Sequence, residues 1–570
     1  MAEEKLFSLI KKRMKIVFCL LLVLFAALIT HLFSIQVLQG NAFQVKAKKQ
    51  RLRTIPIEPK RGIIYARDGQ ELTSNVSLNS VFAMPYQIKN PHYVAEQLSK
   101  ILNLDEKKVY SQLVKPKFFV WIKRKVKDAK VKQIKSLNLE GISFTSESKR
   151  FYPQGMLLSH TLGFAGIDCQ GLAGLERSYE KILAGKPGEV TAERDVAGLV
   201  IPAGDYQYRP PSDGDNLILT IDSSIQYIVE REIEKVYQEY RAKGAVVIVM
   251  DPYRGEILAL ASRPAFDPNN FAQFPPSSWR NSALSQVYEP GSTFKVFLAA
   301  ATLEEKAIKL SDKFYCGGSC QVAHWTIHDI EGEEKGHGWL TLKDILKFSC
   351  NVGAVRVGLH LGKKEFCKYI ADFGFGEKTG MDLPGEERGL FFPQRWSRVT
   401  LATASFGQGI GVTPLQMIGG LSAIANGGYL MRPYLVKEIR DSEGKIIKDF
   451  SPYKVRRVIS KETAEKLTEM LEVVMREGTG KNANLKGYRV AGKTGTAQKV
   501  GPGGYLEDKH VSSFFGFVPS SSPRLAVLVV VDEPKGAYYG AVVAGPVFKK
   551  IAEEALCYLG VAPSEEGSGK

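Results

Sequence analysis

Three short clusters in the 570-residue chain carry side chains that can do covalent chemistry together. The first is Ser292-Thr293-Phe294-Lys295, preceded by Glu289-Pro290-Gly291 and followed by an apolar run over 296–301. That run predicts a buried helix, and a serine and a lysine three apart share one face of it. A lysine among apolar residues gives up its proton readily. It then takes the serine proton and creates a nucleophile, whose developing alkoxide the helix N-terminus favours. Ser-x-x-Lys recurs at Ser8/Lys11, Ser146/Lys149, Ser178/Lys181, Ser442/Lys445 and Ser451/Lys454, where it reads as a surface pair. The Pro-Gly turn before Ser292 and the apolar helix after it set that copy apart.

The second cluster, Ser349-Cys350-Asn351, follows a predicted helix over 340–348; Ser-x-Asn alone is common and also occurs at Ser77/Asn79 and Ser136/Asn138. The third, Lys493-Thr494-Gly495-Thr496, follows Val490-Ala491-Gly492. A strand of such small residues lets a substrate backbone lie against it while the lysine and threonine hold a carboxylate. Lys378-Thr379-Gly380 spells the same triplet, but in a glycine-rich turn before Met381-Asp382-Leu383-Pro384-Gly385, and reads as structural. The order Ser-x-x-Lys, Ser-x-Asn, Lys-Thr-Gly-Thr is specific where each part is not.

These clusters need elements to hold them. Hydrophobic residues make up 44% of the chain, enough for a sizeable core, and the length predicts two or three domains. The net charge of +17 fits nucleic acid, anionic lipid or an anionic polymer equally, so compartment must decide. Lys11, Lys12, Arg13 and Lys15 precede an apolar stretch over 16–38, long enough to cross a bilayer. The cations keep the N-terminus cytoplasmic. A cleaved signal peptide is the competing reading, but no small-x-small site follows Thr30. The expected layout is a cytoplasmic tail (1–15), an anchor (16–38) and an extracytoplasmic remainder. That location excludes nucleic acid, so the basic stretch 115–135 with Phe118, Phe119 and Trp121 reads as a solvated face with its aromatics toward the core.

A polar connector is expected over 39–60, a short strand and turn over 61–69, and a boundary at Pro210-Pro211-Ser212-Asp213-Gly214-Asp215. Beyond it come a strand at 217–221, a helix at 223–240, a hairpin of 245–250 with 255–262, and a second of 511–518 with 525–531. Helical patterns follow at 294–303, 461–476 and 546–559. Hairpins with helices argue for an α+β layered domain. The tail from Pro563 reads as disordered. Of seven cysteines, Cys19 lies in the anchor; Cys316, Cys320, His324 and His328 have a C-x3-C-x3-H-x3-H spacing that fits a zinc site, a Cys316–Cys320 disulfide, or neither.

The three clusters resemble those of serine penicillin-recognising enzymes. Glu289–Lys295, Ser349-Cys-Asn-Val-Gly353, Phe373-Gly-Phe-Gly376, Asp382-Leu-Pro-Gly-Glu386, Gly407-Gln-Gly409 and Lys493-Thr-Gly-Thr-Ala-Gln498 are similar to class B penicillin-binding proteins, closest to the division (FtsI-type) branch. Arg61-Gly-Ile-Ile and Gly171–Glu180 resemble that class's N-terminal module. Cys350 stands where the branch usually has a small hydroxyl residue. The resemblance implies a transpeptidase fold, an antiparallel sheet with helices on both sides, at 215–562. A non-catalytic pedestal, a dimerisation-type module, precedes it at 39–214, and a single transmembrane helix anchors the chain. It implies that Ser292 attacks the carbonyl between two terminal D-alanines of a stem peptide, with Lys295 as general base. Ser349, with Lys493, passes a proton to the leaving D-alanine, and Asn351 bonds the substrate amide. Lys493, Thr494 and Thr496, with Gly495 on the same strand, hold the terminal carboxylate. Backbone N–H groups of Ser292 and Thr496 make the oxyanion hole. A neighbouring stem peptide's amine then completes the cross-link. No cofactor or metal is required, β-lactams inhibit, and a polytopic glycan-strand polymerase and other divisome proteins are the implied partners. The alternatives are an elongation-type paralogue, a hydrolytic β-lactamase or carboxypeptidase, and a silent scaffold or β-lactam sensor.

Overall fold

The computed structural model describes residues 2–117, 119–193, 206–329, 336–501 and 503–563. The chain divides into two compact units, Met1–Pro59 with Gly185–Asp213, and Lys60–Ala184 with Gly214–Lys570. In the first, a helix over Ala2–Phe33 runs into a π-turn over Ser34–Leu38. The apolar stretch therefore continues a helix that begins well before residue 16. It is the one helix long and apolar enough to cross a membrane among the described residues. The expected connector is itself ordered, as a helix over Gly40–Arg51 and a strand over Leu52–Ile57 that pairs with Gly188–Glu193.

The second unit is built on a five-stranded antiparallel sheet. Its strands are β1 (Gly244–Met250), β2 (Ile257–Arg263), β3 (Ala491–Gly501), β4 (Gly504–Val518) and β5 (Leu525–Asp532), in the spatial order β2-β1-β5-β4-β3. β1 and β5 are nearly continuous apolar runs because both faces are covered. Val246, Ile248 and Met250 enter one core and Val247 and Val249 the other. The second core is closed by α1 (Ser223–Glu239) and α6 (Gly545–Tyr558); the first holds α2 (Lys295–Glu304), α3 (Asn351–Leu361), α4 (Pro414–Ala425) and most of the apolar face of α5 (Lys461–Glu477). The sheet with helices on both sides is the expected architecture. α1 starts where Asp222 accepts from the backbone N–H of Ser224 and Ile225 at 3.1 and 3.2 Å.

α4 has no counterpart in the sequence pattern. Every one of its residues is buried, so it lacks the polar face that makes a helix periodic. Its start is nonetheless marked by a capping box between Thr413 and Gln416. β4 is longer than expected: its outer half, from Gly504, pairs with the end of β3 beyond the apolar 511–518 core segment.

Ahead of the five-stranded sheet in the chain, Val120–Val126, Ser74–Ala83 and Ile142–Phe151 form a three-stranded sheet packed by helices Pro91–Leu102, Glu106–Leu113 and Asp128–Ser136. The basic stretch therefore contains one strand and one helix. Its aromatics do not face the core: Phe119 and Trp121 remain on the surface and pack against Phe82, tilted and edge-on, because pairing Trp121 with Phe82 leaves all three on the solvent side. Phe118 and the tail beyond Pro563 lie outside the described residues.

The two motifs assigned to the N-terminal module meet. Arg61 donates to Glu176 at 2.6 Å and to Glu180 at 2.7 Å, and Arg150 donates to the other Glu176 oxygen at 2.6 Å. Glu176 is fully buried between the two guanidinium groups. Gly171 allows the Glu176 turn to close, since a Cβ there would stand 1.9 Å from the Glu176 carbonyl oxygen. Glu176→Ala leaves buried Arg150 without its carboxylate and Arg61 with Glu180 alone, which costs ~3–5 kcal/mol. A urea titration of the full chain reads this as a lowered midpoint, and a loss under ~1 kcal/mol means the triad is not a structural anchor.

Candidate active site

Ser292 sits in a single 3₁₀ turn, Gly291–Phe294, that leads straight into α2. Gly291 and Gly407 both have positive φ, and a Cβ on Gly407 would lie 2.1 Å from the Gly291 carbonyl oxygen. This close crossing explains Gly407-Gln-Gly409: Gly409 N–H donates to Glu289 at 2.8 Å, and Glu289 accepts from Tyr505 at 3.0 Å. Behind the serine, Phe294 and Phe297 pack on Phe373 and Phe375, the two rings of the Phe-Gly-Phe-Gly motif. The decoy triplet is a loop staple, with Thr379 and Gly380 donating to Glu386. Asp382 accepts from the Leu435 and Val436 N–H groups at 3.0 and 2.9 Å.

Lys295 is 1% exposed, and its Nζ lies 3.1 Å from Ser292 Oγ, 2.8 Å from Asn351 Oδ1 and 3.4 Å from Ser349 Oγ. It also donates to the Ser349 carbonyl oxygen. Burial in this apolar surround pulls its pKa down to about 8, against an opposing pull from Asp329 and Cys350. Ser349 adopts φ +59° at the C-terminal end of helix Leu342–Phe348, which turns its hydroxyl and carbonyl to Lys295. Asn351 then opens α3, its N–H donating to Asp329 at 3.1 Å.

The third cluster lies on β3, the edge strand of the sheet. Lys493 Nζ donates to Ser349 Oγ at 2.9 Å. Thr494 donates to Thr479 at 3.0 Å. Thr496 Oγ1 accepts from Gly540 N–H at 3.0 Å. A Cβ on Gly495 would fall 2.4 Å from Ser513 Oγ and 2.9 Å from the Thr293 methyl, so the strand reaches the Ser292 turn only as glycine. Ser292, Asn351 and Thr496 face one cleft of about 600 Å³. Ser292, Lys295, Ser349, Asn351 and Lys493 thus form one connected group, with Thr494, Gly495 and Thr496 along its edge. The arrangement offers a hydroxyl beside a readily deprotonated amine, a second hydroxyl held by a second amine, and an open strand edge for an extended ligand.

Two contributors were not read from the sequence. Thr479 lies in the Gly478-Thr479-Gly480 turn that ends α5, and that turn was its only local signal. Asp329, which holds the Asn351 N–H, carries no local signal at all.

Cys316 and Cys320 are both free thiols. Among the described residues, Cys316 alone of the Cys-x3-Cys-x3-His-x3-His set joins a ligand cluster, with Asp329, His337 and Cys350. The stretch folds as short strands, Phe314–Cys316, Ser319–Val322 and Trp325–His328; Cys320 pairs with Ile327, which puts Cys320 and His328 on opposite faces of the hairpin.

The Penicillin binding protein transpeptidase domain matches residues 245–553, and the Penicillin-binding Protein dimerisation domain matches residues 56–219. Stage V sporulation protein D of Bacillus subtilis is 43% identical over 562 residues, covering 97% of this chain and 87% of that protein. Peptidoglycan D,D-transpeptidase FtsI of Escherichia coli is 31% identical over 565 residues, covering 97% and 92%. Penicillin binding protein 3 of Mycobacterium tuberculosis, in its crystal structure complexed with aztreonam, superposes with a TM-score of 0.70 at 26% identity, covering 90% of this chain and 98% of that one. With both domains matched and the relatives aligned along nearly their whole length, the chain belongs to the class B penicillin-binding proteins, the FtsI-like peptidoglycan D,D-transpeptidases.

Proposed function

We propose that this chain cross-links cell-wall stem peptides through an acyl-enzyme on Ser292. The observation that carries the reading is the Lys295 amine, fully buried, 3.1 Å from Ser292 Oγ and shifted toward its neutral form. Lys295 takes the Ser292 proton as Oγ adds to the carbonyl between the two terminal D-alanines. The Ser292 and Thr496 N–H groups receive the oxyanion. Asn351 orients the substrate amide, and Lys493, Thr494 and Thr496 hold the terminal carboxylate beside Gly495. The C–N bond breaks, and the leaving D-alanine nitrogen receives its proton through Ser349 and Lys493. An amine of a neighbouring stem peptide then attacks the ester, forming the new amide and returning the proton to Ser292.

The reading extends to placement. The N-terminal helix is the anchor, with its Lys/Arg flank in the cytoplasm. Residues 39–214 are the pedestal and 215–562 the catalytic domain, outside the membrane. The anchor and pedestal bind a polytopic glycan-strand polymerase at the division septum. A second reading, wall synthesis during sporulation, is favoured by the 43% identity to Stage V sporulation protein D.

Four experiments test this. Full-length protein treated with a fluorescent penicillin gains one lasting adduct by intact mass, and Ser292→Ala gains none; an adduct surviving in the variant refutes the nucleophile. The free amine of Lys295 is the active form, so the acylation rate falls about tenfold per unit as pH drops below about 8 and levels off above it. A flat profile from pH 5 to 9 rules Lys295 out as the base. Depletion in the source cell gives filaments if the chain serves the septum; normal division with defective spores moves the sporulation reading to first place. The polymerase co-purifies from membranes with the full chain, and replacing residues 1–60 with an unrelated anchor weakens that association.

A further inference from the structure

A cavity of about 830 Å³ adjoins the active cleft, and none of the residues assigned to acylation of Ser292 lines it. Its size is that of a site for a small ligand or a short peptide. The two spaces meet along a shared boundary. Gln498 lines both. In the Gly407-Gln408-Gly409 loop, Gln408 lies on the cleft and Gly409 on the cavity. Glu289 lines the cavity and Tyr505 the cleft, and the Tyr505 hydroxyl donates to Glu289 at 3.0 Å between them.

One strand runs through both spaces. On β3, Thr496 lies on the cleft, Gln498 on both, and Lys499 and Val500 on the cavity. β3 pairs on one side only, with β4, so its other edge is open to an extended chain. From Thr496 to Val500 the strand covers ~13 Å. A peptide lying along residues 498–500 would therefore start beside Thr496, whose N–H receives the oxyanion in the acyl-transfer reading.

The lining is chemically mixed. Val287, Leu390, Ile410 and Val500 form an apolar wall, of which Leu390 and Val500 are exposed to solvent. Most of the lining cations are already committed. Lys243 and Lys499 pair with Glu533 at 3.0 and 2.8 Å, and Arg263 pairs with Glu230 and Glu234 at 2.7 and 2.5 Å. Arg280 is the lining cation that has no ion pair among the described residues, and it is exposed. The Glu289 carboxylate, held by Gly409 N–H at 2.8 Å and by Tyr505, stands three residues ahead of Ser292. The cavity thus offers a guanidinium for a carboxylate, a wall for methylene groups, and a carboxylate for an ammonium next to the nucleophile's turn.

We propose that this cavity is the acceptor site, holding the acidic stem peptide whose amine takes the acyl group from Ser292; the assignment rests on the acyl-transfer reading. The donor chain fills the cleft over Asn351, Thr494 and Thr496, so the second substrate must come from elsewhere. The cavity approaches along the continuation of β3 past Thr496. Arg280 receives a carboxylate of the acceptor, the apolar wall its side-chain methylenes, and Glu289 its ammonium. That ammonium gives one proton to solvent. The neutral amine then forms the C–N bond as the C–Oγ bond breaks, and a second proton passes from nitrogen to Ser292 Oγ. Held in place, the amine outcompetes water for the acyl group. Penicillin supplies only the donor half of the reaction, so the two halves separate in an experiment.

The test uses the full-length chain in detergent and synthetic stem tripeptides with a free side-chain amine, lysine or diaminopimelate in third place, each carrying a diazirine. Irradiated with the unreactive Ser292→Ala chain, a tripeptide should label residues 280–289, 390 or 498–500, and excess unlabelled tripeptide should suppress the label. In the parent chain, cross-linking of a pentapeptide donor to the tripeptide is followed as acceptor concentration varies. Arg280→Glu and Val500→Arg should raise the acceptor KM at least tenfold and shift the acyl-enzyme toward hydrolysis, while Arg280→Lys stays within about threefold. All three should keep the rate of penicillin acylation within about twofold, which a merely structural lesion would not. The proposal fails if the label falls only outside the cavity, or if Arg280→Glu and Val500→Arg leave the acceptor KM unchanged. It fails also if penicillin acylation drops in step with cross-linking. Cavity labelling in a chain that penicillin never acylates overturns the acyl-transfer reading and leaves the cavity standing as a stem-peptide site.

Discussion

A lysine amine with almost no contact with water is the constraint that shapes this molecule. Burying an ammonium without partners is prohibitive, and burying it with several polar partners yields a group poised between charged and neutral. The chain solves this by bringing three polar partners to Lys295 Nζ: the hydroxyl of Ser292 on its own turn and, from a segment distant in sequence, the carbonyl of Ser349 and the side chain of Asn351. Ser349 must take a left-handed backbone to offer both oxygens, and Asn351 must begin a helix in the next step. From the opposite side Lys493 shares the Ser349 hydroxyl, so that one serine links two amines.

The scaffold follows from that need. An apolar wall is required behind the amine, and the rings of Phe294, Phe297, Phe373 and Phe375 supply it. A polar edge is required in front, and β3 supplies it by ending the sheet. The strand and the Ser292 turn approach so closely that glycine is needed at 291, 407 and 495. Motifs that look like scattered family signatures in the sequence prove to be the packing surfaces of one small region.

What was legible in the sequence was whatever is locally encoded. The Ser292 turn and its helix, the two hairpins, α1, α5 and α6 all carry caps, turns or periodicity. α4 was invisible because a helix buried on all sides has no period to read. The aromatics at 119 and 121 were misassigned to the core because nothing local says which face of the edge strand meets water. The Cys316 region was half legible: the thiol was noticed, but its neighbours Asp329, His337 and Cys350 come together only through strand register and a turn 34 residues away. Thr479 escaped for the same reason, since its partner Thr494 is brought to it by the packing of α5 on β3.

The glycine crossing beneath Ser292 sets the terms on which such an enzyme adapts to an inhibitor. The floor of the cleft is backbone on backbone, so it accepts no added atom without displacing Ser292. Its rim is different: Trp325, Tyr538 and Tyr539 line the cleft with side chains that are 67%, 40% and 44% exposed. Change is therefore channelled to the rim, where a substitution alters what enters the cleft and leaves the Ser292–Lys295 contact in place.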